Sequence, residues 1–219
     1  MALYDEVLRY LGYRGQEIDT ELDTKLNKYI DLVNQKIKPS FIYRIFDIEI
    51  SDKVSLINTN VNFTGSDIIN HFNGASKCVV MAATLGLESE RVLSYLSKIK
   101  LAEAVIFDAV CTAKIEEVCD KCESEVKKWA EENSYFTNFR YSPGYGDFPL
   151  EHQRQIVNLL SCEKSIGLTV TDSSLLIPQK SVTAVIGVFE DKQKEQKHNC
   201  ETCSLKDKCM FRKNGCIKE

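Results

Sequence analysis

Residues 77–113 read KCVVMAATLGLESERVLSYLSKIKLAEAVIFDAVCTA, and this stretch indicates the class of fold that the chain adopts. Its first nine residues are mainly apolar and are followed by a glycine, which is typical of a buried strand. The next residues predict a helix from Leu87 to Lys100, and the apolar periodicity from Leu101 to about Asn133 predicts one longer helix. We expect the first half of the longer helix, which is apolar nearly all round, to run through the core.

The second half of the long helix keeps an apolar stripe, whose members are Ile115, Cys119, Cys122, Val126 and Trp129. Cys119 and Cys122 have the spacing of a metal-binding pair, but both continue the stripe, and buried cysteine behaves as a small hydrophobic residue. The pattern therefore favours packing over metal binding. Asp108, in the first half, is interpreted as a locally hydrogen-bonded or edge-exposed residue.

Helices and strands follow one another irregularly along the rest of the chain. Further helices are predicted at residues 4–11, from 19 to about 37, up to 72 after a turn at 64–67, and at 150–160. Further strands are predicted at 41–50, within 54–63, at 174–177 and at 181–189. Such a mixture, without regular strand–helix alternation, predicts an α+β domain.

Composition and charge limit the classes of partner. With 43% hydrophobic and 27% charged residues, the 219-residue chain resembles a soluble globular protein, and no apolar run approaches the roughly 20 residues that span a bilayer. The start, MALYDEVLRY, lacks the positively charged region of a secretion signal, so we expect a cytoplasmic protein without a membrane partner. Residues 191–219 carry eight basic and five acidic residues and so have a net charge of +3. Because the whole chain has a net charge of −4, residues 1–190 carry −7. Such an acidic body disfavours nucleic-acid binding, which needs a basic surface.

Residues 140–152, RYSPGYGDFPLEH, have the composition of a binding loop. Pro143 fixes its own φ, and Gly144 can adopt the positive φ of a type II turn. Arg140 offers a planar fork that suits a carboxylate, and Tyr145 offers a flat face that suits a ring. From these residue types alone, a plain surface turn and a ligand-binding loop both remain open.

Residues 191–219 form a polar segment, DKQKEQKHN, followed by a cysteine-rich tail. Four thiols lie within seventeen residues of the tail, at Cys200, Cys203, Cys209 and Cys216. The two-residue spacing of the first pair allows both sulfurs to bind one metal centre. Four unbound thiols on a polar tail would be prone to oxidation. The spacing therefore predicts a zinc site or a [4Fe–4S] cluster in a tail that is separate from a domain of residues 1–190.

The loop resembles a motif of a known family, the reactivation (activation) domain of cobalamin-dependent methionine synthase. The R-x-x-P-G-Y motif of that domain is matched by Arg140, Pro143, Gly144 and Tyr145. Three further stretches resemble the same family: AATLG at 82–86, the long helix with Glu116, and DSSLLIPQKSVTAVIGV at 172–188. The continuation differs, because YGDFPLEH has one residue more before its histidine, His152, than the family's Y-P-x-C-P-x-H.

The resemblance implies a single α+β domain with a bent, mainly antiparallel sheet flanked by helices. It also implies an accessory role in the reductive reactivation of methionine synthase whose cobalamin has oxidised to cob(II)alamin. The chain, as a free-standing version of the domain, would bind S-adenosylmethionine and present it to cobalamin held by a partner, a methionine synthase core or a related corrinoid protein. An electron would come from a donor such as flavodoxin or ferredoxin, and the chain alone would show no turnover.

The same resemblance assigns roles to the residues of the loop. Arg140 would orient the carboxylate of S-adenosylmethionine, the backbone of Ser142, Pro143 and Gly144 would hold the cofactor, and Tyr145 would border the corrin. A cluster in the tail could relay the electron, which zinc could not. Two other functions stay open: reductive activation of a different corrinoid methyltransferase, and a non-catalytic interaction protein whose tail is stapled by zinc.

Overall fold

The computed structural model describes residues 3–192, and most of its helices and strands lie where the sequence predicts them. The helices are α1 (Leu3–Tyr10), α2 (Thr20–Lys36), α3 (Ser66–Phe72), α4 (Leu87–Ile99), α5 (Leu101–Glu132), α6 (His152–Leu159) and α7 (Cys162–Ile166). The strands are β1 (Ser40–Ile50), β2 (Val54–Leu56), β3 (Asn62–Phe63), β4 (Lys77–Thr84), β5 (Phe136–Thr137), β6 (Thr169–Val170), β7 (Leu176–Ile177) and β8 (Ser181–Phe189).

Six of the strands form one antiparallel sheet in the order β3-β2-β1-β4-β8-β5. Strand β4 is central, and Met81 lies opposite Tyr43 of β1 on one side and Ala184 of β8 on the other. Every residue of β4 after Lys77 is buried, which explains why this strand reads as a continuous apolar run rather than as an alternating pattern.

Helices cover both faces of the sheet. Val79, Met81 and Ala83 of β4 face the core cluster built with α1, α2, α4 and α5, whereas Val80 and Ala82 face a second cluster built with α3, α6 and α7. The alternation follows from the two-residue period of a strand, which sends successive side chains to opposite faces. The predicted α+β class, an antiparallel sheet flanked by helices, is confirmed.

Helix α5 differs from the prediction in its first half. Leu101 and Val105 are 70% and 55% exposed, while Phe107 and Val110 are fully buried. The helix packs on one face of the sheet rather than passing through the core, so a second apolar face is left uncovered within residues 3–192. The stripe of the second half is confirmed, since Ile115, Cys119, Cys122 and Val126 are buried and Trp129 packs against the same cluster.

Short elements account for the remaining differences. Strands β5 and β6 and helix α7 were not predicted, because two-residue strands and a five-residue helix carry no detectable periodicity. The predicted strand at 174–177 is short and pairs with β6 in a separate two-stranded sheet. The predicted start of α2 is confirmed, since Asp19 accepts a hydrogen bond from the N–H of Leu22 as its N-cap.

The cysteine tail lies outside the described residues, and so do the predicted metal ligands Cys200, Cys203, Cys209 and Cys216. None of the described helices is long and apolar enough to cross a membrane.

Candidate functional site

The loop after β5 extends the sheet along the outer edge of β8. Asn138 accepts a hydrogen bond from the N–H of Gly187 through its side-chain oxygen, and Tyr141 exchanges two backbone hydrogen bonds of 2.9 Å with Val185. Since successive side chains of an extended chain point to opposite faces, Arg140 is directed to α5 and Tyr141 to the side of α3. The candidate site therefore lies at a sheet edge, between two helical layers.

The predicted type II turn is present at Ser142–Tyr145. Gly144 has φ +95°, and the N–H of Tyr145 donates to the carbonyl of Ser142 at 3.2 Å. The N–H of Gly144 donates to the carbonyl of Phe148 at 2.8 Å, which closes the loop on itself. Two backbone N–H groups of the motif, those of Gly144 and Tyr145, are therefore already used inside the loop.

Arg140 makes three ion pairs with helix α5. Its Nη2 lies 2.8 Å from Oε2 of Glu116, and its Nη1 lies 2.7 Å from both Oδ1 of Asp120 and Oε2 of Glu123. Burial opposes the charge, but the hydrogen bond to Asp120 and the surrounding carboxylates raise the pKa of Arg140 above its usual value. The arginine that the sequence assigns to a ligand carboxylate is thus charged and held by carboxylates of the protein.

The three carboxylates come from one face of α5. Glu116, Asp120 and Glu123 are spaced four and three residues apart, which places them along a single side of a helix. Glu123 is 13% exposed, but Glu116 and Asp120 are 44% and 69% exposed. The spacing of the three acidic residues is visible in the sequence, but the family resemblance points only to Glu116.

Several polar groups of the turn have no intramolecular partner. Within residues 3–192, the N–H of Ser142 and the carbonyls of Pro143 and Gly144 hydrogen-bond to no other residue. Tyr145, at the tip, is 60% exposed. The described loop therefore offers the N–H of Ser142, the carbonyl of the exposed Gly144 and an aromatic face beside a charged arginine, whereas Pro143 is buried.

His152 is a structural residue at the far end of the loop. The residue is 7% exposed, and its ring packs between Phe63 and Phe148 at centroid distances of 5.5 and 5.2 Å. Nε2 accepts from the N–H of Thr64 at 3.3 Å, so the proton lies on Nδ1, which faces Oε1 of Gln155 at 3.1 Å. Both nitrogens have partners within the protein, which leaves none directed at a ligand.

Asp147 joins the loop to the start of α3, a contact that the sequence did not reveal. Its carboxylate accepts hydrogen bonds from the N–H and hydroxyl of Ser66 at 2.6 and 2.5 Å, and from the N–H of Asp67 at 2.9 Å. Asp67 in turn accepts the N–H of Asp147 at 3.2 Å. The two aspartates are eighty positions apart, so no local pattern could have indicated this contact.

Other candidates from the sequence are structural. Cys119 and Cys122 are fully buried, which confirms packing, and burial raises the pKa of each thiol to about 12. Asp108 is 44% exposed, in agreement with an edge-exposed residue, and forms an ion pair of 2.8 Å with the distant Lys180 rather than a local hydrogen bond. His71 is buried and stacks on Tyr141 at 5.1 Å. Within residues 3–192 no cluster of three or more metal-ligating side chains is present.

Two comparisons relate these features to known proteins. The family model described as "Vitamin B12 dependent methionine synthase, activation domain" matches residues 57–207, more than half of the chain. A solved structure, "Crystal Structure of the MetH Reactivation Domain bound to AdoHcy", is similar with a TM-score of 0.65 and 15% sequence identity, over 88% of this chain and 78% of that chain. At this identity the second match shows the fold. No curated protein matches the chain.

Proposed function

This chain belongs to the family of activation domains of vitamin B12-dependent methionine synthase, and we propose that it binds S-adenosylmethionine at residues 140–145 and presents it to cob(II)alamin held by a partner protein. When both groups are bound, one electron from a donor and the methyl group of S-adenosylmethionine yield methylcobalamin and S-adenosylhomocysteine. The contribution of this chain is to bind and orient the methyl donor, which is catalysis by proximity.

The observation that carries the proposal is the set of polar groups beside Arg140. S-adenosylmethionine has an amino-acid end with one carboxylate and one ammonium group. Arg140 suits the carboxylate, while the exposed carboxylates of Glu116 and Asp120 suit the ammonium group. The N–H of Ser142 and the carbonyl of the exposed Gly144, which have no partner within residues 3–192, suit the remaining polar atoms of such a ligand. The described residues therefore fit a zwitterionic ligand.

The ion pairs of Arg140 determine how such a ligand would bind. A ligand carboxylate that reaches the guanidinium must share it with, or displace, an acidic side chain of α5. Asp120 is the most exposed of the three acidic residues and is therefore the side chain that yields most easily. The released carboxylate remains close enough to the site to meet the ligand's ammonium group.

Tyr145 is placed to meet the partner. An exposed aromatic side chain at the tip of a loop supplies a large apolar contact area together with a hydroxyl group. We propose that it borders the corrin. The sequence has no D-x-H-x-x-G motif of corrinoid modules, so cobalamin is expected to come with a separate module, and the chain alone is expected to show no turnover.

The cysteine tail is proposed to hold either a [4Fe–4S] cluster or zinc, in a unit of residues 191–219. The proposal rests on the spacing of Cys200, Cys203, Cys209 and Cys216, since these residues lie outside the described part of the chain. A cluster would give the protein its own electron relay between a flavodoxin or ferredoxin and the partner in the cytoplasm.

Calorimetry with the purified full-length protein tests the binding step. S-adenosylmethionine and S-adenosylhomocysteine should both bind saturably, because they share the amino-acid end and the adenosine. Failure of both ligands to bind at millimolar concentration, with and without a cobalamin protein present, would contradict the proposal.

One observation favours a second function, a non-catalytic interaction protein. The guanidinium of Arg140 is already balanced by three acidic side chains, which is also the arrangement of a purely structural arginine. The same calorimetry separates the two functions, because an interaction protein that has lost its cofactor site would bind a corrinoid partner but neither ligand.

A further inference from the structure

The loop and the start of α3 are joined by a reciprocal set of hydrogen bonds. Asp147 accepts from the N–H groups of Ser66 and Asp67, and Asp67 accepts from the N–H of Asp147. The arrangement resembles a capping box, in which two side chains satisfy each other's backbone donors, except that the two segments are distant in sequence. Gly65, the N-cap residue of α3, has no side chain that could do this.

Two glycines allow the segments to come this close. A Cβ atom added to Gly65 would lie 2.7 Å from the carbonyl oxygen of Asp147, and one added to Gly146 would collide with the carboxylate of Asp67. Gly146 also faces the hydroxyl of Tyr141, which would be 2.7 Å from such a Cβ atom. The contact therefore depends on the absence of side chains on both sides of it.

The contact fixes one end of the exposed turn. The other end is fixed where Tyr141 pairs with β8, and the exposed residues of the turn lie between the two attachments. Next to Asp147, the fully buried ring of Phe148 holds the chain, and its backbone carbonyl accepts the N–H of Gly144. Release of Asp147 would leave the turn attached through Tyr141 and Phe148 but no longer joined to the start of α3.

We infer that Asp147 is a positioning residue for S-adenosylmethionine: it fastens the loop to α3 and so holds the backbone of Ser142–Gly144 in the geometry that binds the ligand. The inference rests on the proposed function. The hydrogen bonds from Ser66 and Asp67 hold the pKa of Asp147 below its usual value, so the carboxylate is ionised at neutral pH. Asp147 lies in the stretch where this sequence has a residue more than the family motif.

The test compares Asp147→Asn with the wild-type protein and with Asp172→Asn, a control at another exposed aspartate that accepts a hydrogen bond from an arginine. Asp147→Asn should weaken the binding of S-adenosylhomocysteine about tenfold, because one of the two carboxylate oxygens that accept from α3 becomes an NH2 group, which cannot accept. Asp172→Asn should leave the binding unchanged. Hydrogen exchange without ligand should be faster at the amides of Ser66, Asp67 and Gly144, and unchanged in β4.

The pH dependence separates positioning from a merely structural role. Wild-type affinity should fall more steeply than that of Asp147→Asn as the pH drops through the lowered pKa of Asp147, because protonation removes the acceptor charge only in the wild-type protein. If Asp147→Asn does not fold, Asp67→Asn, which removes a single acceptor charge of the same contact, should weaken binding in the same direction.

Equal affinity of the wild-type and Asp147→Asn proteins would overturn the inference and leave the proposed function intact. Absence of binding to the wild-type protein would overturn the proposed function and the inference together.

Discussion

Arg140 donates a hydrogen bond from Nη1 to Oε2 of Glu123 at 2.7 Å, and so joins the loop to helix α5 across seventeen positions of sequence. Glu123 is the least exposed of the three acidic partners of Arg140, and Lys127 pairs with its other oxygen. The arginine therefore has one largely buried acidic partner and two more exposed ones. Under the proposed function, Glu123 would hold the loop while the exposed partners yield to a ligand.

Arg140→Ala should weaken the binding of S-adenosylmethionine by about 10- to 150-fold, which corresponds to about 1.5–3 kcal/mol for one charge-assisted hydrogen bond. It should also lower the melting temperature, because the largely buried Glu123 is left with Lys127 as its remaining cationic partner. Calorimetry and thermal unfolding measure the two effects. Arg154→Ala is the matched control, since Arg154 pairs with Asp172 away from the loop, and it should not change binding. Equal binding by Arg140→Ala would exclude Arg140 from the site.

Gly146→Ala should destabilise the protein more than Gly167→Ala. Both glycines have a positive φ, +53° and +67°, which costs about 1–2 kcal/mol for a residue with a side chain. Only at Gly146 would the new methyl group also collide with Asp67, whereas at Gly167 nothing lies within 4 Å. Urea titration measures the free energy of unfolding of each variant. If both variants lose the same free energy of unfolding, the loop does not contact α3 as closely as the structure shows.

Glu103→Gln should make the melting temperature of the protein depend less on pH under acidic conditions. Glu103 accepts hydrogen bonds from the hydroxyl of Tyr29 and from the ammonium groups of Lys100 and Lys28. These bonds, that from Tyr29 most of all, lower the pKa of the Glu103 carboxyl to about 2. A lowered carboxyl pKa stabilises the fold above the unfolded value, about 4.5, and this stabilisation is lost as the pH falls from there towards 2. The melting temperature of the wild-type protein should therefore fall more than that of the variant over this range. Glu163→Gln, on α7, should behave like the wild-type protein.

Metal analysis of anaerobically purified protein tests the tail. About four iron atoms per chain and a brown colour are expected for a cluster, and one zinc without iron for a structural site. Cys203→Ser should remove the metal in either case. Absence of both metals from a freshly prepared anaerobic sample would contradict a metal centre at these cysteines.

The sequence predicted the parts of the molecule that depend on local pattern. The apolar run of β4, the stripe of α5 and the Pro143–Gly144 turn each have a short-range cause, and each is present in the structure. Long-range contacts had no such signal. The attachment of Asp147 to α3 joins residues eighty positions apart, and residue types alone could not show that the fork of Arg140 is occupied by carboxylates of α5.

The central claim is that this chain brings S-adenosylmethionine to oxidised cobalamin held by another protein. The most direct measurement is a reconstitution that contains a methionine synthase core in the cob(II)alamin state, this chain, S-adenosylmethionine and a low-potential reductant, followed by the absorbance of methylcobalamin. Methylcobalamin should form with the wild-type chain, and much more slowly with Tyr145→Ala or without the chain. Recovery of the inactive synthase at the same rate without this chain would contradict the account.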